Sequence, residues 1–176
     1  FLIDEAIAEL LQLKQAGYIR YIGVTSGVLG WLREIVQKVE IDTILSYGRY
    51  NLLDTSLTTD LLPAVTQKEI GLINASPLYM GILTESGPPP WSSVPSDVRQ
   101  AVQTAAAFAQ QHQTTITDVA LKFVLGNEAF STTLIGMKNT DEIIHNIELL
   151  SQPVDEGVLA GIQAILAPYQ NLSWQG

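Results

Sequence analysis

Four short groups of small and polar residues follow apolar, strand-like segments of the chain. The groups are Thr25-Ser26, Tyr47-Gly48-Arg49-Tyr50, Ser76-Pro77-Leu78 and Gly136-Met137-Lys138-Asn139. Hydroxyls and free backbone N–H groups in such turns can bind anions, above all where a helix begins directly afterwards, as is predicted near Thr140. Strand-to-helix turns also need Gly, Ser and Asn for conformational reasons. The groups are therefore candidates for ligand binding and are equally compatible with ordinary turns.

Other common chemical motifs are absent from the sequence. His112 and His145 are the only histidines, and neither has a partner at metal-ligand spacing. The chain has no cysteine and no G-x-S-x-G motif. The segment 23–30 contains three glycines after a predicted strand, but it does not fit the G-x-G-x-x-G pattern of a Rossmann dinucleotide site. We therefore expect no metal site, and chemistry by this chain alone has little support.

Composition and charge narrow the class of protein. The 176 residues are 47% hydrophobic and 15% charged, which is typical of a globular unit with a core. Nine basic against 18 acidic residues give a net charge of -9, which disfavours binding to nucleic-acid phosphates. The apolar runs are far shorter than the roughly 20 residues of a membrane span, and the start has no signal-peptide pattern. We expect a cytoplasmic protein with no membrane or nucleic-acid partner.

Strands and helices are predicted to alternate along the chain. Strands are predicted over 18–25, 43–47, 71–76 and 132–136, which are rich in β-branched and apolar residues. Helices are predicted over 3–15, 31–39, 59–68, 98–111, 116–125, 140–150 and 155–166. Thr117 or Asp118 is the candidate cap of the helix at 116, Asn139 or Thr140 that of the helix at 140, and the segment 95–97 that of the helix at 98. The segment 87–91 is a predicted loop.

This alternation indicates a parallel sheet covered by helices, since the strands are apolar on both faces. Four strands are half of the eight that a (β/α)8 barrel of about 250 residues requires. Pattern alone does not separate half a barrel from a four-stranded open sheet. The chain begins at Phe1 without Met and ends at Gly176 in what looks like the middle of a segment, so both ends are interpreted as cuts. In a barrel, the polar groups would lie on the ligand-binding rim.

The same residues resemble the motifs of the aldo-keto reductases. In chain order, the segments 23–26, 46–54, 75–84 and 134–146 resemble the family's fifth-strand, sixth-strand, seventh-strand and eighth-strand motifs. The resemblance spans essentially the whole chain. Within the family, the L-galactose dehydrogenase type is the most similar, on the segments 75–85, 87–91 and 167–174.

The resemblance implies an α/β fold, namely a (β/α)8 TIM barrel of which residues 1–176 are the C-terminal half. This single domain would hold strands five to eight with their helices, and the absent N-terminal half would be its partner. The intact enzyme would transfer hydride between a nicotinamide cofactor and an aldose or other carbonyl or alcohol substrate. Its catalytic tetrad of Asp, Tyr, Lys and His lies on the first four strands. The resemblance therefore assigns no catalytic residue here, and this chain alone is expected to be inactive.

The resemblance also implies cofactor contacts. Thr25 and Ser26 would approach the nicotinamide carboxamide, and Tyr47 stands where the family often has Gln. Ala75 stands where many members have a Tyr that stacks on the nicotinamide ring, so that stacking is expected to be lost. The residues that would wrap the pyrophosphate are Ser76, Pro77, Leu78, Met80 and Gly81. Those that would hold the adenosine end, with His145 near adenine, are Gly136, Met137, Lys138, Asn139 and Asn146. Simpler alternatives remain: Tyr47 plugs the barrel, Asn146 lies on a helix surface and Lys138 is a solvated charge.

Glu142 carries an expectation about the cofactor. NADP-preferring relatives commonly place Arg at this position to pair with the 2′-phosphate. A carboxylate forfeits a charge-assisted contact of roughly 1.5–3 kcal/mol, about a tenfold to hundredfold change in affinity. It can instead accept a hydrogen bond from a free ribose 2′-hydroxyl. NAD is therefore expected over NADP, with Lys138 as the main counter-argument.

Two other classes of function remain open. A half-barrel of the same fold could serve as a non-catalytic binding or interaction module, and the chain could be an unrelated α/β binding protein. Cofactor binding without turnover would favour the first, and failure to bind any nicotinamide cofactor would favour the second. The sequence does not identify the sugar, because the substrate loops would lie largely in the absent half.

Overall fold

The computed structural model describes residues 2–90 and 92–172, with side chains from Glu5 onward. This part of the chain contains four strands: β1 Gly23–Ser26, β2 Thr43–Tyr47, β3 Gly71–Ala75 and β4 Thr132–Leu134. Its α-helices are α1 Ala8–Gln15, α2 Leu29–Lys38, α3 Ser56–Asp60, α4 Leu62–Gln67, α5 Ser96–Gln111, α6 Ile116–Leu125, α7 Thr140–Leu149 and α8 Glu156–Leu166. A π-helical segment, Leu2–Ile7, precedes α1, and short 3-10 helices lie at Tyr79–Gly81 and Ala167–Tyr169. The predicted motif positions Trp91 and 173–176 lie outside the described residues.

The four strands form one parallel sheet in the order β1-β2-β3-β4. Helices connect each strand to the next, so the predicted parallel α/β sheet is confirmed. Side chains of one register level share a face of the sheet. The level of Ile44 and Leu72 faces the helices and is buried. The next level faces the opposite side, and its edge-strand members Thr25 and Thr132 are exposed there. We call these the outer and inner faces.

The hydrophobic core lies between the outer face and the helices. One cluster packs Ile44 and Leu72 of the sheet against α2 and α4, with Leu32 and Val65 buried between them. A second cluster joins α5, α6 and α8 and includes Ile162. Full burial of a Leu or Ile side chain stabilises a fold by roughly 1.5–3 kcal/mol. The outer layer therefore holds the sheet, and the inner face contributes little to this core.

The first strand is shorter than the predicted strand 18–25. The side chains of Tyr18 and Tyr21 are 80% and 71% exposed, and β1 begins only at Gly23. The backbone N–H of Ile22 donates to Asp42 Oδ2 at 2.7 Å, and its carbonyl accepts from the Asp42 N–H at 2.8 Å. The β-branched and aromatic composition is that of a strand, but the segment is a turn tied to the residue before β2. The prediction of β4 was also too long, since this strand ends at Leu134.

The predicted helix 59–68 was wrong, because the structure has two short helices there. The break falls at Leu61, between α3 and α4. Pro63 has no N–H and its ring clashes with the carbonyl four residues earlier in a helix interior. The break places Pro63 in the first turn of α4, where proline is tolerated.

One of the predicted caps was wrong, one is confirmed, and the third lies in the predicted segment but has no side-chain cap. Thr115, and neither Thr117 nor Asp118, caps α6: its Oγ1 accepts from the Asp118 N–H at 3.0 Å. The helix predicted at 98 begins at Ser96, and its N-cap residue Pro95 makes no side-chain cap. Asn139 caps α7 as predicted and accepts from the Glu142 N–H at 2.9 Å.

Candidate functional site

Parallel topology brings the ends of all four strands to one edge of the sheet. Ser26, Ser46, Asn74 and Thr133 lie at one register level, so the loops that follow them leave the sheet side by side. We call the loops 26–30, 47–55, 75–90 and 135–142 the carboxyl edge, and the loops 16–22, 39–42, 68–70 and 126–131 the amino edge. The polar groups noted in the sequence therefore lie on one edge. In parallel α/β folds, this is the edge where ligands bind.

The hydroxyls of Thr25 and Ser26, at the end of β1, differ in their surroundings. Thr25 is exposed on the inner face. Ser26 is half-buried, and its Oγ accepts from the Val28 N–H at 3.0 Å, which closes the turn. Of the two predicted carboxamide contacts, Thr25 is the residue whose side chain is open to a ligand.

Tyr47 lies across the mouth of the sheet and reaches the loop after β1. Its side chain is 45% exposed, and a Cβ placed on Gly27 would lie 2.8 Å from Tyr47 Cε2. The ring thus packs on the Gly27 backbone, and a larger residue at position 27 would displace it. Tyr47 is therefore a half-exposed residue of the carboxyl edge.

Arg49 connects two loops of the carboxyl edge. Its Nε donates to the Gly27 carbonyl at 2.6 Å, and its Nη1 donates to Asp54 Oδ2 at 3.2 Å. The Arg49 side chain is 22% exposed and that of Asp54 is 1% exposed. The second carboxylate oxygen, Asp54 Oδ1, accepts from the Ser56 N–H at 2.9 Å and from the Ser56 hydroxyl at 2.5 Å. A buried carboxylate needs such partners, because burying an unpaired charge is costly.

The loop after β3 holds an unusual backbone. Ser76, Tyr79 and Met80 have φ angles of 60°, 48° and 55°, and Gly81 follows at 88°. Left-handed φ at a non-glycine residue costs about 1–3 kcal/mol, and such residues cluster at ligand-binding sites. The turn is closed by hydrogen bonds from the Tyr79 N–H to the Ser76 carbonyl and from the Gly81 N–H to the Leu78 carbonyl. Of the residues predicted to wrap pyrophosphate, Met80 is exposed, Pro77 is buried, and Ser76, Leu78 and Gly81 are half-buried.

Tyr79 belongs to this loop, and its side chain is buried against the loop after β2. Burial, with a smaller contribution from the charge of Asp54, raises the pKa of Tyr79 to about 12, and the charge of Arg49 opposes this shift. A Cβ on Gly48, whose φ is +67°, would lie 3.2 Å from Tyr79 Cε2. The phenol is therefore neutral at physiological pH and is packed against the loop after β2.

The loop after β4 is exposed and is tied to the first turn of α7. Gly136, Met137, Lys138 and Asn139 are all exposed. Asn139 Oδ1 accepts from the Glu142 N–H, and Glu142 Oε2 accepts from the Lys138 N–H at 2.8 Å. This reciprocal arrangement resembles a capping box. The Glu142 carboxylate orders the loop and retains further acceptor capacity for a ligand.

Asn146 and His145 face different neighbours on α7. Asn146 is half-buried and lines a groove of about 570 Å³ between β4 and α7, together with Thr133 and Ile147. His145 Nε2 lies 2.8 Å from Asp118 Oδ1 of α6. The structure thus brings Lys138, Asn139 and Glu142 together and places Asn146 lower on the helix.

Two classes of feature find no support in the part of the chain that the structure describes. There, no group of three or more His, Asp or Glu side chains could hold a metal ion. None of the helices in that part has the length and apolar character needed to cross a membrane. His112 is exposed, and its Nδ1 lies 2.8 Å from the Phe108 carbonyl.

Sequence reasoning missed the roles of Arg49, Asp54 and Tyr79. Arg49 lies within a recognised polar group, but its partners are five residues onward and in another loop. An Arg after a strand followed by an Asp five residues later was the available signal. The left-handed backbone at Tyr79 and Met80 has no signal in the sequence, since neither residue is a glycine.

Comparisons with known proteins identify the family of the chain. Residues 2–167 match the Aldo/keto reductase family. The chain is 37% identical over 180 residues to L-galactose dehydrogenase of Arabidopsis thaliana, covering 98% of the chain and 56% of that protein. It is 25% identical over 172 residues to D-threo-aldose 1-dehydrogenase of a Pseudomonas species, covering 94% and 52%.

A solved structure shows the same fold. An aldo-keto reductase of Bacillus halodurans in its holo form superposes with a TM-score of 0.70 at 21% identity, over 93% of this chain and 56% of that one. The chain therefore spans about half the length of the curated relatives and of the solved structure that it matches.

Proposed function

The chain belongs to the aldo/keto reductase family, and from this premise we propose that it forms the cofactor-binding C-terminal half of an NAD-dependent sugar dehydrogenase barrel. The family has the TIM-barrel fold, uses nicotinamide cofactors and acts on small aldehyde or sugar substrates. The observation that carries the proposal is the carboxyl edge. It combines four polar loops with a left-handed turn at Ser76–Gly81.

The unfinished surfaces of the sheet support a half-barrel over residues 1–176. Among the described residues, β1 and β4 each pair with one strand only. On the inner face Thr25 and Leu134 are exposed, and on α7 Ile143 and Ile147 are exposed along the groove beside β4. Open strand edges invite pairing, and closure of a barrel would cover both edges and the inner face. We propose that the first half of the same barrel is this partner.

The residues of the carboxyl edge fit a dinucleotide. Thr25 offers an open hydroxyl, the turn at Ser76–Gly81 offers a preformed backbone, and the helix start at Thr140 offers N–H groups to an anion. The proposed contacts follow those implied by the sequence. Thr25, Ser26 and Tyr47 lie toward the nicotinamide; Ser76, Pro77, Leu78, Met80 and Gly81 toward the pyrophosphate; and Gly136, Met137, Lys138, Asn139, Glu142 and Asn146 toward the adenosine.

The reaction is divided between the two halves in this proposal. A bound nicotinamide supplies or accepts the hydride. The residues of this chain bind the cofactor and fix its orientation, and the proton-transferring tetrad belongs to the first half. No described tyrosine is assigned the role of general acid, and Tyr79, which is buried, stays protonated. The substrate class that we propose is an aldose, in keeping with the names of the two relatives.

Preference for NAD rests on Glu142. In the intact barrel, we expect Glu142→Arg to shift the ratio of kcat/KM for NADP and NAD toward NADP by about tenfold to hundredfold. Glu142→Gln, which keeps an acceptor for the Lys138 N–H, is the control for loss of the loop contact. It should shift the ratio far less than Glu142→Arg. An intact enzyme that prefers NADP kinetically would contradict the proposed cofactor.

Sugar-dependent formation of NADH by the intact barrel tests the activity itself. We expect turnover with an aldose and NAD. Binding of NAD without turnover of any aldose or aldehyde would instead indicate a non-catalytic module of the same fold.

A further inference from the structure

At the carboxyl edge, Arg49 joins two loops through side-chain hydrogen bonds. Its guanidinium donates to the Gly27 carbonyl with one nitrogen and to the Asp54 carboxylate with another. A planar guanidinium holds two donors in a fixed geometry, which an ammonium group does not. The loop after β1 is thus fixed relative to the loop after β2, one residue beyond the proposed carboxamide contact at Ser26.

The loop that carries Arg49 and Asp54 also contacts the loop after β3. A Cβ on Gly48, the residue before Arg49, would lie 3.2 Å from Tyr79 Cε2, and Tyr79 belongs to the left-handed turn. The charges of Asp54 and Arg49 also influence the pKa of the Tyr79 phenol. The Gly48 N–H donates to the Ala75 carbonyl at 3.0 Å, which joins the same two loops through the backbone. Three of the four carboxyl-edge loops are therefore in contact beside the largely buried Arg49–Asp54 pair.

We propose that Arg49 is a positioning residue that holds the loops after β1, β2 and β3 in the arrangement required for cofactor binding. The inference rests on the proposed function, since it concerns the same site. Arg49 acts through Gly27 and Asp54 and is assigned no contact with the cofactor itself. Contacts that are arranged before binding cost less to form, so such a brace raises affinity without touching the ligand.

The amino edge offers a matched control. Lys14 Nζ lies 2.7 Å from Asp42 Oδ1 and 2.6 Å from Asp42 Oδ2, and Asp42 also accepts from the Ile22 N–H. This pair joins a helix end to the segment before a strand, as Arg49 and Asp54 join two loops. It lies at the opposite ends of the strands, so its loss should leave the cofactor loops unchanged.

The experiment compares Arg49→Met, Arg49→Lys and Lys14→Met in the intact barrel. NAD dissociation constants, KM and kcat are measured, together with amide hydrogen exchange of the segments 25–30 and 76–83 without cofactor. Arg49→Met should raise the dissociation constant and KM for NAD by about tenfold, lower kcat by less, and speed exchange in both segments. Arg49→Lys should recover part of both effects, and Lys14→Met should change neither.

The outcomes separate this inference from the proposed function. Affinity within about twofold of wild type together with unchanged exchange in Arg49→Met would overturn the inference. If Arg49→Met does not fold, Arg49→Lys provides the test. This variant must show faster exchange in both segments and a higher dissociation constant for NAD than wild type. A wild-type barrel that binds no nicotinamide cofactor would overturn the proposed function. The exchange comparison needs no cofactor and still decides whether Arg49 braces the loops.

Discussion

The carboxyl edge and the amino edge of the sheet use the same kinds of interaction in different surroundings. At the carboxyl edge, Arg49 and Asp54 pair with side chains that are 22% and 1% exposed; at the amino edge, Lys14 and Asp42 pair at 36% and 27%. Glycines show the same contrast. Gly48 and Gly17 both have positive φ, but a Cβ would touch Tyr79 at Gly48 and would meet nothing within 4 Å at Gly17.

This difference in burial indicates which edge of the sheet is the more rigid. An exposed ion pair contributes roughly 0–1 kcal/mol and is screened by salt, whereas loss of one partner of a buried pair leaves an uncompensated charge. The amino edge connects helices to strands, and its ion pair and Gly17 are more open to solvent. At the carboxyl edge, burial couples the loops to one another, which is the property that a preorganised ligand site requires.

Gly48→Ala should give the largest difference in stability between the two edges. The left-handed backbone costs a non-glycine residue about 1–2 kcal/mol, and overpacking against the Tyr79 ring adds about 1–3 kcal/mol. Gly17→Ala carries only the first of these costs. Denaturant unfolding of both variants measures the difference in the free energy of unfolding. Equal losses would mean that Tyr79 does not pack against Gly48.

Tyr79 should make the carboxyl edge sensitive to alkali. Its pKa in the folded protein is raised to about 12 from an ordinary 10, so the folded state favours the neutral phenol. The associated stability is present below pH 10 and is lost as pH rises toward 12, by an amount on the order of 2 kcal/mol. Tyr79→Phe should unfold with a flatter dependence on pH between 10 and 12. A parallel pH dependence in the two proteins would contradict the assignment.

Asp42 should make the amino edge slightly sensitive to acid. The hydrogen bond from Lys14 and that from the Ile22 N–H lower the pKa of Asp42 below its ordinary 3.8. The stability that this carboxylate contributes is therefore present above pH 3.8 and is lost as pH falls through the lower, folded-state pKa. For this partly exposed pair we expect roughly 0.2–1 kcal/mol. Asp42→Asn should abolish that part of the acid dependence, and an unchanged slope would show that the pair contributes nothing.

Much of the fold could be predicted because it depends on local patterns. Apolar runs such as 43–47 and 71–76 became strands close to their predicted bounds. Errors arose where distant partners decide the backbone. The segment 18–22 has the composition of a strand, but Asp42 pairs with Ile22 and the segment stays a turn. Pro63 lies within the predicted helix 59–68, and in the structure it occupies the first turn of a separate helix, α4.

The position of the candidate site could be predicted from the sequence, but the contacts that join its loops could not. Polar groups after each strand are visible in the sequence, and parallel topology places them together. The brace is not visible, because Arg49 reaches Gly27 across 22 residues and Tyr79 reaches Gly48 from another loop. The sequence predicts a role for Glu142 in cofactor choice, but its hydrogen bond with the Lys138 N–H is visible only in the structure.

The most direct test of the central claim is an amide hydrogen-exchange map of the intact barrel with and without saturating NAD. We expect slower exchange in the presence of NAD at 25–26, 76–81 and 136–142, and no change at the amino-edge segments 16–22 and 68–70. Protection at the amino edge, or none at the three carboxyl-edge segments, would contradict the assignment of this edge as the cofactor site.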